Sequence, residues 1–351
     1  MNEEPASSGV DLQDIPAGRP PPPVFAALDL GTNNCRLMMA TPAGSGFRVI
    51  DSFSRIVRLG AGLHHTERLS EAGMERAIAA LHACSARLER RPVHAVRAIA
   101  TEACRRAVNG PAFLDRVKAE TGIGFDIIST REEAELALES CTPLLGGASR
   151  RALLFDIGGG STELSWVRLS ADCRPHLIGY ASLPVGVVTL AERFGPACFT
   201  EAGFESMVDD VSGRLAAFEG VHCIAQEIRM GGVQLVGTSG TVTTLAGIAL
   251  NLERYRRLLV DGHVLTGEAA RDAVTVLRAL GAEGLAQHAC VGPDRVEFVL
   301  PGCAVFVAIL RAWPADRVVV ADRGLREGVL LRMIRDDRRR RDVLARGAAW
   351  R

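Results

Sequence analysis

At 351 residues with a formal net charge of zero, the chain is too long for one typical domain and lacks the global positive charge of a nucleic-acid-binding surface. Hydrophobic residues at 48% and charged residues at 23% fit a globular protein, and no apolar run reaches the length of a membrane span. Nine cysteines without a C-x-x-C pair, and histidines that adjoin only at His64-His65, give neither a disulfide framework nor a zinc site; the thiols read as small buried groups in a reducing, cytoplasmic setting.

Residues 1–23 are acidic, then rich in Gly and Pro, without the basic start and apolar stretch of a signal peptide, and are expected as a disordered tail. An apolar run ending at Asp29-Leu30 turns through Gly31, Thr32, Asn33 and Asn34 into a second run, Cys35-Arg36-Leu37, which reads as a β-hairpin. Strands are expected at 47–54, 93–100 and 125–129, and helices at 70–90, 102–120 and 132–140. A glycine-rich stretch at 146–149 marks a hinge. Beyond it, strands are expected at 152–156, 163–169, 176–183, 232–237 and 317–321. Helices are expected at 187–194, 201–218, 241–250, 301–312 and 325–334. Strands alternate with helices, so each half is an α/β layer structure, with domains at 24–147 and 148–335 and a charged tail at 336–351.

Two segments repeat one pattern. Phe155-Asp156-Ile157 turns through Gly158, Gly159, Gly160 and Ser161 into Thr162-Glu163-Leu164, as Asp29 does through Gly31. Glycine allows a tight turn whose N–H groups converge on an anion. A duplication with a cleft between the copies follows. A third loop, Gly237 with Thr238, Ser239, Gly240 and Thr241, joins an apolar strand to a helix and reads either as a phosphate site or as an ordinary turn with a hydroxyl N-cap. Asp156 and Glu163 flank the second turn and suit a hydrated Mg²⁺, with Asp29 facing the same cleft from the other half. Ser129-x-x-Glu132 and Thr130-x-x-Glu133 both match a capping box, and from spacing alone the cap is the simpler reading.

Together these motifs resemble the exopolyphosphatase/guanosine pentaphosphate phosphatase (Ppx/GppA) family. The resemblance runs in order from the Asp29 loop through Val57-Arg-Leu-Gly60, Ala100-Thr101 to Arg105 and Asn109, Glu132-Glu133, Asp156 to Glu163, Leu183-Pro-Val-Gly186, Gly237 to Thr241 and Leu300-Pro-Gly302 to Gly324-Leu-Arg-Glu-Gly328. It departs at Thr130-Arg131, where a Gly is usual, and at Thr32, where Ser is common. It implies duplicated actin/Hsp70/sugar-kinase-like (ribonuclease H-like) domains around a cleft, in a short two-domain member without the helical C-terminal region of long members. It places the catalytic base on Glu133, acidic active-site groups on Asp156 and Glu163, and phosphate contacts on Arg58 and Arg105. It implies Mg²⁺ as cofactor, no nucleic-acid or membrane partner, and a possible homodimer. The activity implied is removal of a terminal phosphate from inorganic polyphosphate, with pppGpp 5′-phosphohydrolysis as the alternative. A kinase or ATPase of the same fold and a non-catalytic polyphosphate or nucleotide sensor are further readings.

Overall fold

The computed structural model describes residues 22–146, 149–170 and 175–348; of the tail expected at 1–23, residues 1–21 lie outside them, as does the domain boundary expected at 147–148. In chain order the strands are β1 (Phe25–Leu30), β2 (Asn34–Ala43), β3 (Gly46–Ile56), β4 (Ala95–Ala100), β5 (Phe125–Ile127), β6 (Arg151–Ile157), β7 (Thr162–Leu169), β8 (Pro175–Leu183), β9 (Val233–Thr238), β10 (Val264–Thr266) and β11 (Arg317–Ala321). The helices are α1 (Leu63–Thr66), α2 (Glu71–Glu89), α3 (Glu102–Arg106), α4 (Gly110–Thr121), α5 (Thr130–Cys141), α6 (Val187–Phe194), α7 (Glu201–His222), α8 (Ile224–Arg229), α9 (Gly240–Ala249), α10 (Arg257–Val260), α11 (Gly267–Gln287), α12 (Val296–Ala312) and α13 (Leu325–Ala348).

The strands form two sheets, ordered β3-β2-β1-β4-β5 and β10-β11-β9-β6-β7-β8. Within the second, β8-β7-β6-β9-β11 repeats the order of the first, with the same antiparallel hairpin strands and parallel inner strands. The duplication seen in the sequence is therefore a duplication of topology. The central strand β1 is buried at every position, as a strand covered on both faces must be.

Helices α2 and α4 cover one face of the first sheet through Ala77, Leu81, Phe113 and Val117. The other face packs on α13 through Val329, Leu330 and Ile334 and on α5 through Leu136. Leu138 and Cys141 of the same helix α5 pack on Leu154, Val167 and Val236 of the second sheet. Helix α5 thus lies between the two sheets and touches both cores. The last helix returns to the first sheet after the chain has built the second. It runs on as one helix through the charged stretch 335–341 to Ala348. Among the described residues, no helix is long and apolar enough to cross a membrane.

Three regions differ from expectation, the first being α13, which was expected to end at 334 and runs to Ala348. Helix α12 begins at Val296 and carries Pro301 in its interior, where 301 was expected as its start. The stretch from α10 to α11, left unassigned by the sequence reading, holds a short helix, an edge strand and a long helix interrupted at Gly281 (φ 63°).

Candidate active site

The turns at 31–34, 158–161 and 238–241 all line one cavity of about 410 Å³ between the sheets. The first two are built alike. Gly31 N–H donates to the Asn34 carbonyl, and Gly158 N–H to the Ser161 carbonyl, both at 2.9 Å. Their carbonyls are occupied by the segments that follow each unit. Asn33 accepts from Val57 (2.8 Å) and Arg58 (3.0 Å), and Thr32 from Gly60 (2.9 Å). Gly158 accepts from Val187 (3.0 Å) and Gly159 from Val188 (2.8 Å). The N–H groups of Thr32, Asn33, Gly159 and Gly160 donate no backbone hydrogen bond among the described residues, which is the arrangement of an anion nest. The two turns also meet: a Cβ on Gly159 would lie 3.2 Å from Thr32 Cβ, and one on Gly160 would lie 2.7 Å from Thr32 Oγ1.

The third loop is not an ordinary capped turn. Helices α2, α5, α7 and α11 each start on a Ser or Thr whose hydroxyl accepts a first-turn N–H; α9 has no side-chain cap although Ser239 stands at its start, and α3, α4 and α12 have none either. Thr238 Oγ1 donates to the Arg323 carbonyl, and Ser239 Oγ is buried with no partner among the described residues. Ser239 also holds φ 96°, ψ 170°, a strained backbone for a residue with a Cβ. A helix start of this kind has N–H groups free to meet an anion. Helix α12 presses on this loop at Gly302, where a Cβ would overlap the Thr241 hydroxyl.

Strand pairing brings the carboxylates to the same place. Asp156 is paired with Glu163 on β7 and with Thr238 on β9, and Asp29 is paired with Arg36 on β2. Asp29, Asp156, Glu163 and Glu133 all line the cleft. Glu133 is not part of the cap: Ser129 Oγ accepts the Glu132 N–H at 3.1 Å, and the Glu133 carboxylate is buried beside Arg105 at 3.0 Å. Burial pushes Glu133 up to about 7 against the pull of Arg105, and Asp156 and Asp29 add to the push. Burial likewise raises Asp156 to about 6. It raises Asp29, against the pull of Arg36 and Arg326. Glu163 is raised by burial and by the neighbouring Glu133 and Asp156, while hydroxyls of Ser161 and Ser182 (3.0 Å) bond its Oε1.

Two expected phosphate contacts lie outside the cleft lining. Arg105 stands behind Glu133, bonded also to Glu102 at 2.9 Å and to the Ile128 carbonyl at 2.8 Å. Arg58, with φ 48°, reaches across the rim to Glu297 on α12 at 2.5 Å and lies over the Phe298 ring. The cations that do line the cleft are Arg36, Arg295 and Arg323. Arg36 was legible within the first motif but carried no assignment; Arg295 follows a Gly-Pro break and gave no signal. Its guanidinium donates to the Gly240 carbonyl at 2.7 Å and to Thr244 Oγ1 at 3.0 Å.

Among the described residues no three His, Cys, Asp or Glu side chains form a ready-made metal cage. The donors are nevertheless all oxygen, acidic and mutually repelling. That suits a hard cation which keeps its own waters and takes phosphate oxygens from a substrate.

The chain matches the Ppx/GppA phosphatase family over residues 38–337. Guanosine-5′-triphosphate,3′-diphosphate pyrophosphatases of Photobacterium profundum and Aeromonas hydrophila are 30% and 32% identical to it, over 89% and 88% of the chain. The chain spans 59% of the length of these relatives. The crystal structure of an Aquifex aeolicus Ppx/GppA family member is 28% identical, with TM-score 0.74 over 90% of this chain and 99% of that one. An exopolyphosphatase from Cytophaga hutchinsonii shares the fold at 23% identity, with TM-score 0.79 over 89% of this chain and 98% of that one.

Proposed function

Because the chain belongs to the Ppx/GppA phosphatase family, we propose that it hydrolyses the terminal phosphoanhydride bond of a polyphosphorylated substrate, with guanosine 5′-triphosphate 3′-diphosphate (pppGpp) first and inorganic polyphosphate second. The sequence reading put inorganic polyphosphate first; the name carried by the relatives at 30% and 32% identity reverses that order. One observation carries the reading: a buried carboxylate, Glu133, raised to about 7, opens onto a cleft walled by three anion-binding turns.

In this mechanism the ionised Glu133 orients a water and accepts its proton as the oxygen attacks the terminal phosphorus in line. The bond from that phosphorus to the bridging oxygen breaks, and the electron pair leaves with the shortened substrate. Arg105 keeps Glu133 aimed and favours its ionised form. The turn N–H groups, with Arg36 and Arg295, take up charge on the non-bridging oxygens. Asp156 and Glu163, with Asp29 nearby, would hold Mg²⁺, which would supply further neutralisation of the phosphate oxygens when bound.

The test is a comparison of initial rates of phosphate release from pppGpp, short-chain and long-chain polyphosphate in Mg²⁺. Fastest release from pppGpp is the expected result. Faster release from long-chain polyphosphate restores the other order. Release from none of the three removes the proposal.

A further inference from the structure

The third loop is strained and uncapped, so something must hold it in shape. Strand β11 runs parallel to β9, with Ala321 paired to Thr238, so Asp322 and Arg323 follow β11 at the end of the sheet where the loop begins. The Arg323 carbonyl takes the Thr238 hydroxyl. The Arg323 side chain lines the cleft but is not free to meet a substrate alone: its Nε donates to Asp261 Oδ1 at 3.1 Å and Oδ2 at 3.0 Å, and its Nη2 donates to Asp261 Oδ2 at 2.9 Å. Asp261 also accepts the Asp322 N–H at 3.1 Å. It therefore fixes both the backbone and the side chain of the residues that anchor the loop. Asp261 itself ends α10, and Gly262 N–H ties the next residue to the Val320 carbonyl at 2.8 Å, so the brace is rooted in the sheet.

We propose that Asp261, acting through Arg323, is a positioning residue that holds the 238–241 loop in its phosphate-binding shape. The inference rests on the phosphate reading of that cleft. Asp261 touches no substrate. Its loss frees Arg323, slackens the 322–324 segment and lets Ser239 relax out of its strained conformation.

The experiment measures binding of inorganic pyrophosphate by calorimetry, together with the melting temperature, for the parent protein, Asp261→Ala and Asp261→Asn. The expected result is a dissociation constant weakened about tenfold in Asp261→Ala, because a displaced binding loop forfeits its alignment. The Asn variant, which keeps an acceptor for the Asp322 N–H, is expected to fall between. With a substrate that is turned over, KM rises by the same factor while kcat changes less and the acid limb set by Glu133 stays put. Parent-like pyrophosphate affinity in Asp261→Ala overturns the inference. If the Ala variant does not fold, the Asn variant decides: weaker binding upholds the proposal and unchanged binding overturns it. A parent protein that binds no pyrophosphate sinks the phosphate reading of the cleft and this inference with it, whereas parent binding that the variants leave intact sinks only the inference.

Discussion

Under the proposed mechanism, Glu133 ties activity to stability through one side chain. Its carboxyl is raised from 4.5 to about 7, and that of Asp156 from 3.8 to about 6, both by burial first. The folded protein therefore binds these protons more tightly than the unfolded chain. Their stabilising contribution is complete below the unfolded values and is lost as pH rises through the folded ones. Catalysis needs the opposite state, because a general base must be ionised. We expect kcat/KM to rise with an inflection near 7, the value to which burial raises Glu133, while the melting temperature falls across the same window. A flat melting temperature between pH 4 and 8 (about the span set by these carboxyls) contradicts this. Asp156→Asn removes a buried charge, so it is expected to raise the melting temperature at alkaline pH and to blunt the Mg²⁺ dependence of turnover. An unchanged Mg²⁺ titration takes Asp156 out of the cation site. Spacing alone favours a cap at Glu133, because two overlapping cap patterns, from Ser129 and Thr130, account for a glutamate pair at a helix start, and it is the family resemblance that points to Glu133 as the base. The fold shows that Ser129 caps through Glu132 and that Glu133 lines the cleft.

The element that places Glu133 is α5, and it is seated from behind by α13. A Cβ on Gly328 would overlap the Leu136 carbonyl, so the two helices meet there without a side chain between them. Arg332 of α13 also bonds Glu139 of α5, at 2.6 Å, on the same face. Gly328→Ala is expected to destabilise the protein by about 1–3 kcal/mol, the usual cost of overpacking a tight contact, read as a lower melting temperature. A variant that melts with the parent shows the contact to be loose. At this scale legibility was uneven. The β1–β2 and β6–β7 hairpins could be read because apolar runs flank a glycine turn, and α2, α6 and β11 fell where their patterning put them. The stretch carrying α10, β10 and α11 could not: α10 and β10 are too short for a period to emerge, and Gly281 and Gly284 break up the pattern of α11. That stretch holds Asp261, which is why the brace on the third loop went unread. Pro301 hid the first turn of α12 because proline normally opens a helix rather than sitting within one.

The whole molecule is two copies of one sheet topology closed on a cleft, and the sequence repeat around Asp29 and Asp156 carried that much by itself. What the repeat does not encode is how the copies face each other. The halves meet at Gly159 and Gly160 against Thr32, and at the rim Gly62 N–H donates to Glu192 at 2.8 Å while Arg58 pairs with Glu297. The Arg58–Glu297 pair is about half exposed on both sides, at 46% and 47%, so it contributes at most about 1 kcal/mol. Arg58→Ala is therefore expected to shift the melting temperature only slightly; a large fall means the rim contact governs closure of the two halves. The central claim is that water is activated by Glu133 inside this closed cleft. It is tested most directly by phosphate release from pppGpp by Glu133→Gln, measured beside the parent in Mg²⁺ at alkaline pH with substrate affinity and melting temperature in parallel. The account predicts turnover reduced about 100- to 10,000-fold with affinity preserved and the melting temperature not lowered, since the variant carries no buried charge at this pH. Turnover within a few-fold of the parent contradicts it.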